Sequence, residues 1–198
     1  MLKIIHRVNK IKDLKKIPSQ YGVEVDLRAY GKKIILNHEA FKDGEDFETY
    51  MASYSHSFIV LNVKESGIED RIINIMEKRE IKNYFLLDLE FPYIYKSSKN
   101  GFKKIAIRYS EKEPINAVLQ FKNSFEWVWI DTNTRLPLNG KVAKILKNFN
   151  TCLVCPERWN RPLDIANYAQ KMKNLNFKPT AVMTSLKYVK EWEKFYPT

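Results

Sequence analysis

Short apolar runs alternate with longer amphipathic stretches along the whole chain. The runs have the length of β-strands, and the stretches repeat apolar positions at helical spacing. Predicted strands lie near residues 4–5, 23–27, 58–64, 84–89, 104–109, 127–130, 151–155 and 180–183. Predicted helices lie near residues 10–20, 46–54, 68–79, 93–98, 114–122, 139–148, 162–174 and 185–195. Strand and helix therefore alternate eight times.

Eight repeats of a short apolar strand and a helix are typical of a parallel (β/α)8 barrel. We predict an α/β fold, a minimal (β/α)8 TIM barrel that forms a single domain over residues 1–198 without an insertion. The rival is a doubly wound open sheet. No glycine-rich phosphate loop follows any predicted strand, and the chain has only 6 glycines, which favours the barrel.

The second predicted strand carries the strongest chemical signal. Val23, Val25 and Leu27 alternate with Glu24 and Asp26, so the two carboxylates share one face of the strand. Side chains two residues apart lie about 7 Å from each other, close enough to share one hard cation. The plain alternative is a solvated face of a sheet, which alternating acidic residues more often indicate.

Two of the three histidines flank this acidic pair in the predicted topology. His6 ends the first strand, and His38 follows the apolar run Ile34-Ile35-Leu36. Active sites of (β/α)8 barrels lie at the carboxyl ends of the strands, so we expect these groups to meet. Two imidazoles beside two carboxylates suit general acid/base chemistry next to a metal.

Polar residues end most of the other predicted strands as well, and in a barrel they would face the same mouth. They are Asn62, Lys64, Asp88, Glu90, Arg108, Asp131, Asn133, Glu157 and Thr184. For Arg108 and Asp131 two interpretations stay open: a grip on substrate hydroxyls or phosphate, or a salt bridge.

Composition narrows the class of protein. The hydrophobic share of 44% indicates a packed core, and 34 Lys and Arg against 23 Asp and Glu give a net charge of +11. This balance favours anionic partners, but the lysines occur in ones and twos, which indicates a solvated basic surface. A nucleic-acid-binding protein is one hypothesis, yet no nucleic-acid motif is present, and we expect no specific nucleic acid partner.

The cysteines and the hydropathy pattern bear on location. Cys152 and Cys155 lie in an apolar run without further metal ligands nearby, so we expect two buried, reduced thiols. No stretch approaches the roughly 18 apolar residues of a membrane span, and we find no secretory signal. We therefore predict a cytoplasmic protein without a membrane span, either a monomer or a small homo-oligomer.

The residues of the first half resemble the glycerophosphodiester phosphodiesterase family, within the phosphatidylinositol-phospholipase-C-like barrels. The matching motifs are His6-Arg7 after the first strand, Glu24-Val25-Asp26 on the second, and His38-Glu39 after a short apolar run. Asn62-Val63-Lys64 stands where the family has an acidic residue two positions before a lysine. The similarity of motifs is concentrated in residues 4–64.

This resemblance implies a role for each of these side chains. Glu24, Asp26 and Asn62 would hold a divalent cation, Mg²⁺ or Ca²⁺, which prefers hard oxygen ligands. His6 and His38 would be the catalytic acid/base pair on either side of the phosphorus. The phosphate-binding cations would be Arg7 and Lys64, with Arg108 as a further candidate from the strand ends.

Two positions depart from the family pattern. Val8 replaces the glycine that usually follows His-Arg, and Asn62 replaces a carboxylate, for which Asp88 or Glu90 could compensate. We therefore predict a metal-dependent phosphodiesterase that hydrolyses a small phosphodiester, glycerophosphodiester-like or attached to a polyol or sugar, with a role in lipid metabolism. The alternative is a catalytically impaired barrel that binds a phosphorylated ligand, and Asn62 favours it.

Overall fold

The computed structural model describes residues 1–197. The chain divides into two compact units, one of residues 4–96 and one of residues 1–3 with 97–198. The single domain over residues 1–198 stays a prediction.

Residues 4–96 build a parallel sheet from apolar strands. The strands in chain order are β1 (Leu2–Ile5, with its last two residues here), β2 (Gly22–Tyr30), β5 (Ile59–Val63) and β6 (Tyr84–Leu87). β2 pairs in parallel with both β1 and β5, and β5 pairs with β6. The helices are α1 (Ile11–Leu14), α2 (Phe47–Ala52), α3 (Glu69–Lys78) and α4 (Phe91–Asn100, to residue 96 in this unit).

An antiparallel extension follows β2. The chain turns at Gly31, which has a left-handed φ of 57°, and returns as β3 (Lys33–Leu36) against the end of β2. The two-residue strand β4 (Glu45–Asp46) pairs with β3. The Asp46 carboxylate then caps α2 by accepting a hydrogen bond from the Thr49 amide, 2.9 Å away. The apolar run Ile34-Ile35-Leu36 is thus part of strand β3, while strand β4 was not predicted.

The second unit continues the alternation. Its parallel strands are β7 (Ala106–Tyr109), β8 (Trp127–Ile130), β9 (Asn150–Val154) and β10 (Ala181–Thr184), paired in that order. Its helices are α5 (Ile115–Gln120), α6 (Gly140–Leu146), α7 (Asp164–Asn174) and α8 (Val189–Phe195). Short 3-10 helices at Pro156–Trp159 and Leu186–Tyr188 follow β9 and β10.

The eight alternations of strand and helix confirm the predicted α/β order. The helix predicted over residues 10–20 is only the four-residue α1, because apolar residues of that stretch are few and Pro18 cannot continue a helix. Cys152 and Cys155 are buried free thiols, as predicted. Within residues 1–197, every helix is too short or too polar to span a bilayer.

Candidate active site

Glu24 and Asp26 are placed by the register of β2. Each is only 1% exposed, so the solvated-face alternative is excluded. In the parallel pairing with β5, Asp26 lies beside Asn62, and Glu24 lies two residues earlier on the same face. Apolar neighbours along both strands, including Val25 and Leu61, are fully buried. The predicted pair of carboxylates therefore sits in a buried polar cluster.

Both oxygens of Glu24 accept hydrogen bonds. The Arg7 amide donates to Oε2 at 2.7 Å, and the Asn62 side-chain amide donates to Oε1 at 2.9 Å. His6 Nε2 lies 3.8 Å from Oε2. Burial, and next the charge of Asp26, raise the pKa of Glu24 from 4.5 to about 7, although these hydrogen bonds act in the opposite direction.

Arg7 reaches Glu24 through an unusual backbone conformation. Its φ of 56° is left-handed, which is uncommon for residues other than glycine. The next residue, Val8, donates its amide to the Glu24 carbonyl at 2.8 Å and is 4% exposed. Val8, at the position where the resemblance would place a glycine, thus packs into the core, where its carbonyl accepts a hydrogen bond from the Tyr50 hydroxyl.

Asp26 is held by Asn9, a residue that the sequence patterns did not single out. Asn9 Nδ2 donates to Asp26 Oδ2, and the Asp26 amide donates to Asn9 Oδ1, both at 2.9 Å. Two cations also approach the carboxylate: Arg7 Nε lies 3.5 Å from Oδ2, and Lys64 Nζ lies 3.4 Å from Oδ1. Asp26 is therefore oriented by a neutral amide and neutralised by two positive charges.

Lys64 connects this cluster to the end of β6. Its ammonium lies 3.4 Å from Asp26 and 3.3 Å from Asp88, so it bridges two carboxylates. Asp88 has a left-handed φ of 61°. A pocket of about 240 Å³ beside Lys64 is lined by Asp88 and Glu90, the two acids considered as substitutes for a carboxylate at position 62.

His38 projects from a compact loop of residues 37–44. Its Nδ1 lies 2.7 Å from Glu39 Oε1, and the Arg28 guanidinium donates to its backbone carbonyl at 3.1 Å. The hydrogen bond with His38 lowers the pKa of Glu39. The loop is closed at Gly44, where an added Cβ would lie 2.3 Å from the Leu36 carbonyl oxygen. No other residue fits there without a backbone shift.

A cleft of about 660 Å³ connects the His38 loop with the turn after β1. Its walls include Arg7, Asn9 and Lys10 on one side, and Asn37, His38 and Glu39 on the other. Arg7 is thus shared between this cleft and the buried carboxylates. The cleft is open and carries cationic and amide side chains that can bind a small charged substrate.

The donor set fits a hard cation. Glu24, Asp26 and Asn62 present oxygen atoms on one face of two paired strands. Asn62 Oδ1 is buried and has no hydrogen-bond partner, because the amide nitrogen of the same side chain binds Glu24. Within residues 1–197, no site made of three or more His, Cys, Asp or Glu side chains is present. The candidate site differs from such a site because its third oxygen donor is the neutral amide of Asn62.

Arg108 belongs to the other unit. There it donates to Glu113 at 2.9 Å and also bonds the carboxylate of Asp131, which is 4% exposed. The predicted salt bridge between Arg108 and Asp131 is confirmed within this unit. The role of Arg108 as a phosphate-binding residue stays a prediction. In the same unit the Thr184 hydroxyl bonds Glu157.

Comparisons with known proteins show similarity at the level of structure. No protein-family model matches the sequence, and no curated protein matches it. A protein of Agrobacterium tumefaciens assigned as a glycerophosphoryl diester phosphodiesterase is 11% identical, with a TM-score of 0.68 over 98% of this chain and 97% of its own. A glycerophosphoryl diester phosphodiesterase of Parabacteroides distasonis is 10% identical, with a TM-score of 0.65 over 98% of this chain and 86% of its own. This likeness confirms the predicted (β/α)8 fold class.

Proposed function

We propose that the protein is a phosphoric diester hydrolase that acts on a small phosphodiester. The observation that carries this proposal is the meeting of Glu24, Asp26 and Asn62 with His6 and Arg7 around the carboxyl ends of β1, β2 and β5. Two solved structures with the same fold are assigned as glycerophosphoryl diester phosphodiesterases, which supports the reaction class.

In the proposed reaction, Arg7 and Lys64 bind the non-bridging phosphate oxygens as charge-assisted donors. His6 and His38 form the acid/base pair: one imidazole takes the proton of the attacking hydroxyl or water, and the other protonates the leaving alkoxide. Glu24 Oε2 lies 3.8 Å from His6 Nε2, and Glu39 Oε1 lies 2.7 Å from His38 Nδ1. Each histidine therefore has a carboxyl group beside its ring that can orient the imidazole.

Glu24, Asp26 and Asn62 would hold Mg²⁺ or Ca²⁺. When bound, such a cation would supply charge stabilisation to the phosphodiester. Asp26 needs a fixed orientation for this role, and Asn9 provides it through its two hydrogen bonds. The proposed substrates are glycerophosphodiesters and phosphodiesters of a polyol or sugar.

The test is hydrolysis of bis(p-nitrophenyl) phosphate and a panel of glycerophosphodiesters, with Mg²⁺, Ca²⁺, Mn²⁺ or EDTA. We expect metal-dependent turnover that falls at least about a hundredfold in His6→Ala, His38→Ala and Glu24→Gln. The matched control is His56→Ala, because His56 Nε2 contacts the Ile17 carbonyl outside the cluster. Turnover retained in His6→Ala, with a normal thermal unfolding temperature for every variant, would contradict the assignment.

A second candidate is a barrel that binds a phosphorylated ligand without hydrolysing it. It is favoured by Asn62, whose amide hydrogen-bonds Glu24 at the position of a third carboxylate. In that case the wild type would bind a phosphate ester, measured by calorimetry, but show no turnover with any metal. Asn62→Glu would then be expected to create metal-dependent turnover.

A further inference from the structure

The positive charge of the chain is concentrated in one unit. Residues 4–96 contain 15 Lys and Arg and 15 Asp and Glu, so this unit is neutral. Residues 1–3 and 97–198 contain 19 Lys and Arg against 8 Asp and Glu, which accounts for the whole net charge of +11. The unit that holds the carboxylate cluster is balanced, whereas the other presents a basic surface to solvent.

Two clefts of the basic unit lie at the amino-terminal ends of its strands. The first has a volume of about 520 Å³ and is formed by the segments that precede β7, β8 and β9. Backbone hydrogen bonds from Glu126 to Lys103 and from Asn150 to Glu126 hold these segments side by side. The side chains that line it include lysines, asparagines and aromatic rings: Lys103, Lys122, Lys147, Asn123, Asn148, Asn150, Phe125 and Phe149, together with Glu126.

The second cleft, of about 580 Å³, lies where α7 and α8 end and β10 begins. It repeats the chemistry of the first: Lys173, Lys178 and Lys194 with Gln170, Asn176, Phe177, Phe195 and Tyr196. Because β7 to β10 are parallel neighbours, both clefts lie along the same edge of this sheet. We call the two clefts together the basic edge.

The lysines of the basic edge are largely without acidic partners. Within residues 1–197, no carboxylate lies at ion-pairing distance from Lys103, Lys122, Lys147, Lys173 or Lys178. Lys194 is the exception, since it pairs with Glu191 at 2.7 Å. All six side chains are exposed.

Positive groups at the second cleft also repel one another. Burial, followed by the charges of Lys178 and Lys3, lowers the pKa of the Met1 amine. Lys3 itself donates to the carbonyl of Tyr196, which lines this cleft. The charge of Glu193 offsets part of this repulsion at Lys3, and an anion placed in the cleft would reduce it further.

Helix ends explain only part of this pattern. Lysines are favoured in the last turn of a helix, where they complement its dipole. This accounts for Lys173 and Lys194, and for Lys122 and Lys147, which directly follow α5 and α6. It does not account for Lys103 or Lys178, which precede strands, nor for the amides and aromatic rings between the lysines.

We propose that the basic edge binds single-stranded nucleic acid without sequence preference, a property separate from the proposed hydrolysis. Lysines in a groove bind the phosphate backbone, and amide side chains hydrogen-bond phosphate and sugar. Partly exposed aromatic rings offer stacking to unpaired bases; Phe195 is 43% exposed and borders the second cleft. Both clefts are concave and lined by lysines and amide side chains, which favours a flexible strand over the flat surface of a membrane.

The probe is a fluorescein-labelled 20-mer of deoxythymidine, titrated with the full chain at several salt concentrations and followed by anisotropy. The triple variant Lys103→Gln, Lys122→Gln, Lys147→Gln should weaken binding at least about tenfold and reduce the log–log salt slope by about 2, at roughly 0.7 per phosphate contact. Phe195→Ala should weaken binding by about tenfold with an unchanged slope, because it removes stacking alone.

The matched control is Lys12→Gln, Lys15→Gln, Lys78→Gln, which removes the same charge from exposed positions of residues 4–96. It should leave the salt slope unchanged. Equal losses in the two triple variants would overturn the proposal, because binding would then follow net charge alone. If polyphosphate of equal charge displaces the labelled 20-mer as well as unlabelled oligonucleotide does, base stacking does not contribute to binding. Binding to phosphatidylserine vesicles but not to the 20-mer would assign the basic edge to a membrane surface instead.

Discussion

Replacing Glu24 by glutamine should change how the stability of the protein depends on pH. Glu24 is 1% exposed, and burial beside Asp26 raises its pKa from 4.5 to about 7. The folded protein therefore keeps a proton on the Glu24–Asp26 pair at pH values where the unfolded chain has released it. The free energy of unfolding must then fall as pH rises from about 4.5 to 7.

The size of the effect follows from the difference in pKa. The difference in pKa between the unfolded and folded states corresponds to about 3 kcal/mol, most of which falls between pH 5 and pH 8. Solvent does not screen this contribution, because the carboxylate is fully buried. Glutamine has no titrating proton, so Glu24→Gln removes the pH-dependent contribution of this side chain to the free energy of unfolding. What remains is a change in that free energy that does not depend on pH and comes from altered hydrogen bonding.

The assay is urea unfolding at pH 5, 6, 7 and 8 in the presence of EDTA, for wild type, Glu24→Gln and the exposed control Glu48→Gln. The free energy of unfolding of Glu24→Gln should move by roughly 2 kcal/mol in favour of the variant, relative to wild type, from pH 5 to pH 8, while the difference between the control and wild type stays constant. A difference for Glu24→Gln that varies by less than about 0.5 kcal/mol would refute the reasoning.

Other features of the site give further predictions. Mg²⁺ or Ca²⁺ added at pH 8 should raise the urea midpoint of wild type more than that of Glu24→Gln, because the ionised pair is the proposed ligand. Asn62→Asp should increase calcium affinity, measured by calorimetry, by about tenfold or more, since ligand charge sets affinity; an unchanged affinity would remove Asn62 from the ligand set. Asn9→Ala should lower the free energy of unfolding by about 1–3 kcal/mol, because Asp26 loses a buried donor, with Asn9→Asp lowering it further. Asp46→Ala should cost about 1 kcal/mol by removing the cap of α2 without reducing turnover, and a loss of turnover would show that the cap also positions the site.

The sequence was sufficient for the carboxylate pair because alternation along a strand is a local property. Glu24 and Asp26 could be placed on one face of β2 from periodicity alone, and their neighbour Asn62 from the family pattern. Asn9 could not be found in this way, since its contact with Asp26 spans 17 residues and it lies in a segment without periodicity. The left-handed conformation of Arg7 was equally out of reach, because arginine carries no preference for it.

The distribution of charge is a second feature that the sequence pattern alone did not reveal. Lysines scattered in ones and twos predicted a solvated basic surface. The division of the chain into two units shows in addition where the net charge lies, because residues 4–96 balance their charges and the remainder does not. The uneven distribution becomes visible only when charges are counted for each unit, because the spacing of the lysines along the chain does not reveal it.

The closure of the His38 loop at Gly44 defines how this part of the chain can be engineered. Phe41 is fully exposed and Lys42 is exposed, so the tip of the loop should tolerate randomisation or a short insertion. Gly44 should not, because its Cβ position is occupied by the Leu36 carbonyl. Libraries that seek new substrate preferences should therefore vary residues 40–42 and keep Gly44, which leaves the base of the loop, and with it His38, in place.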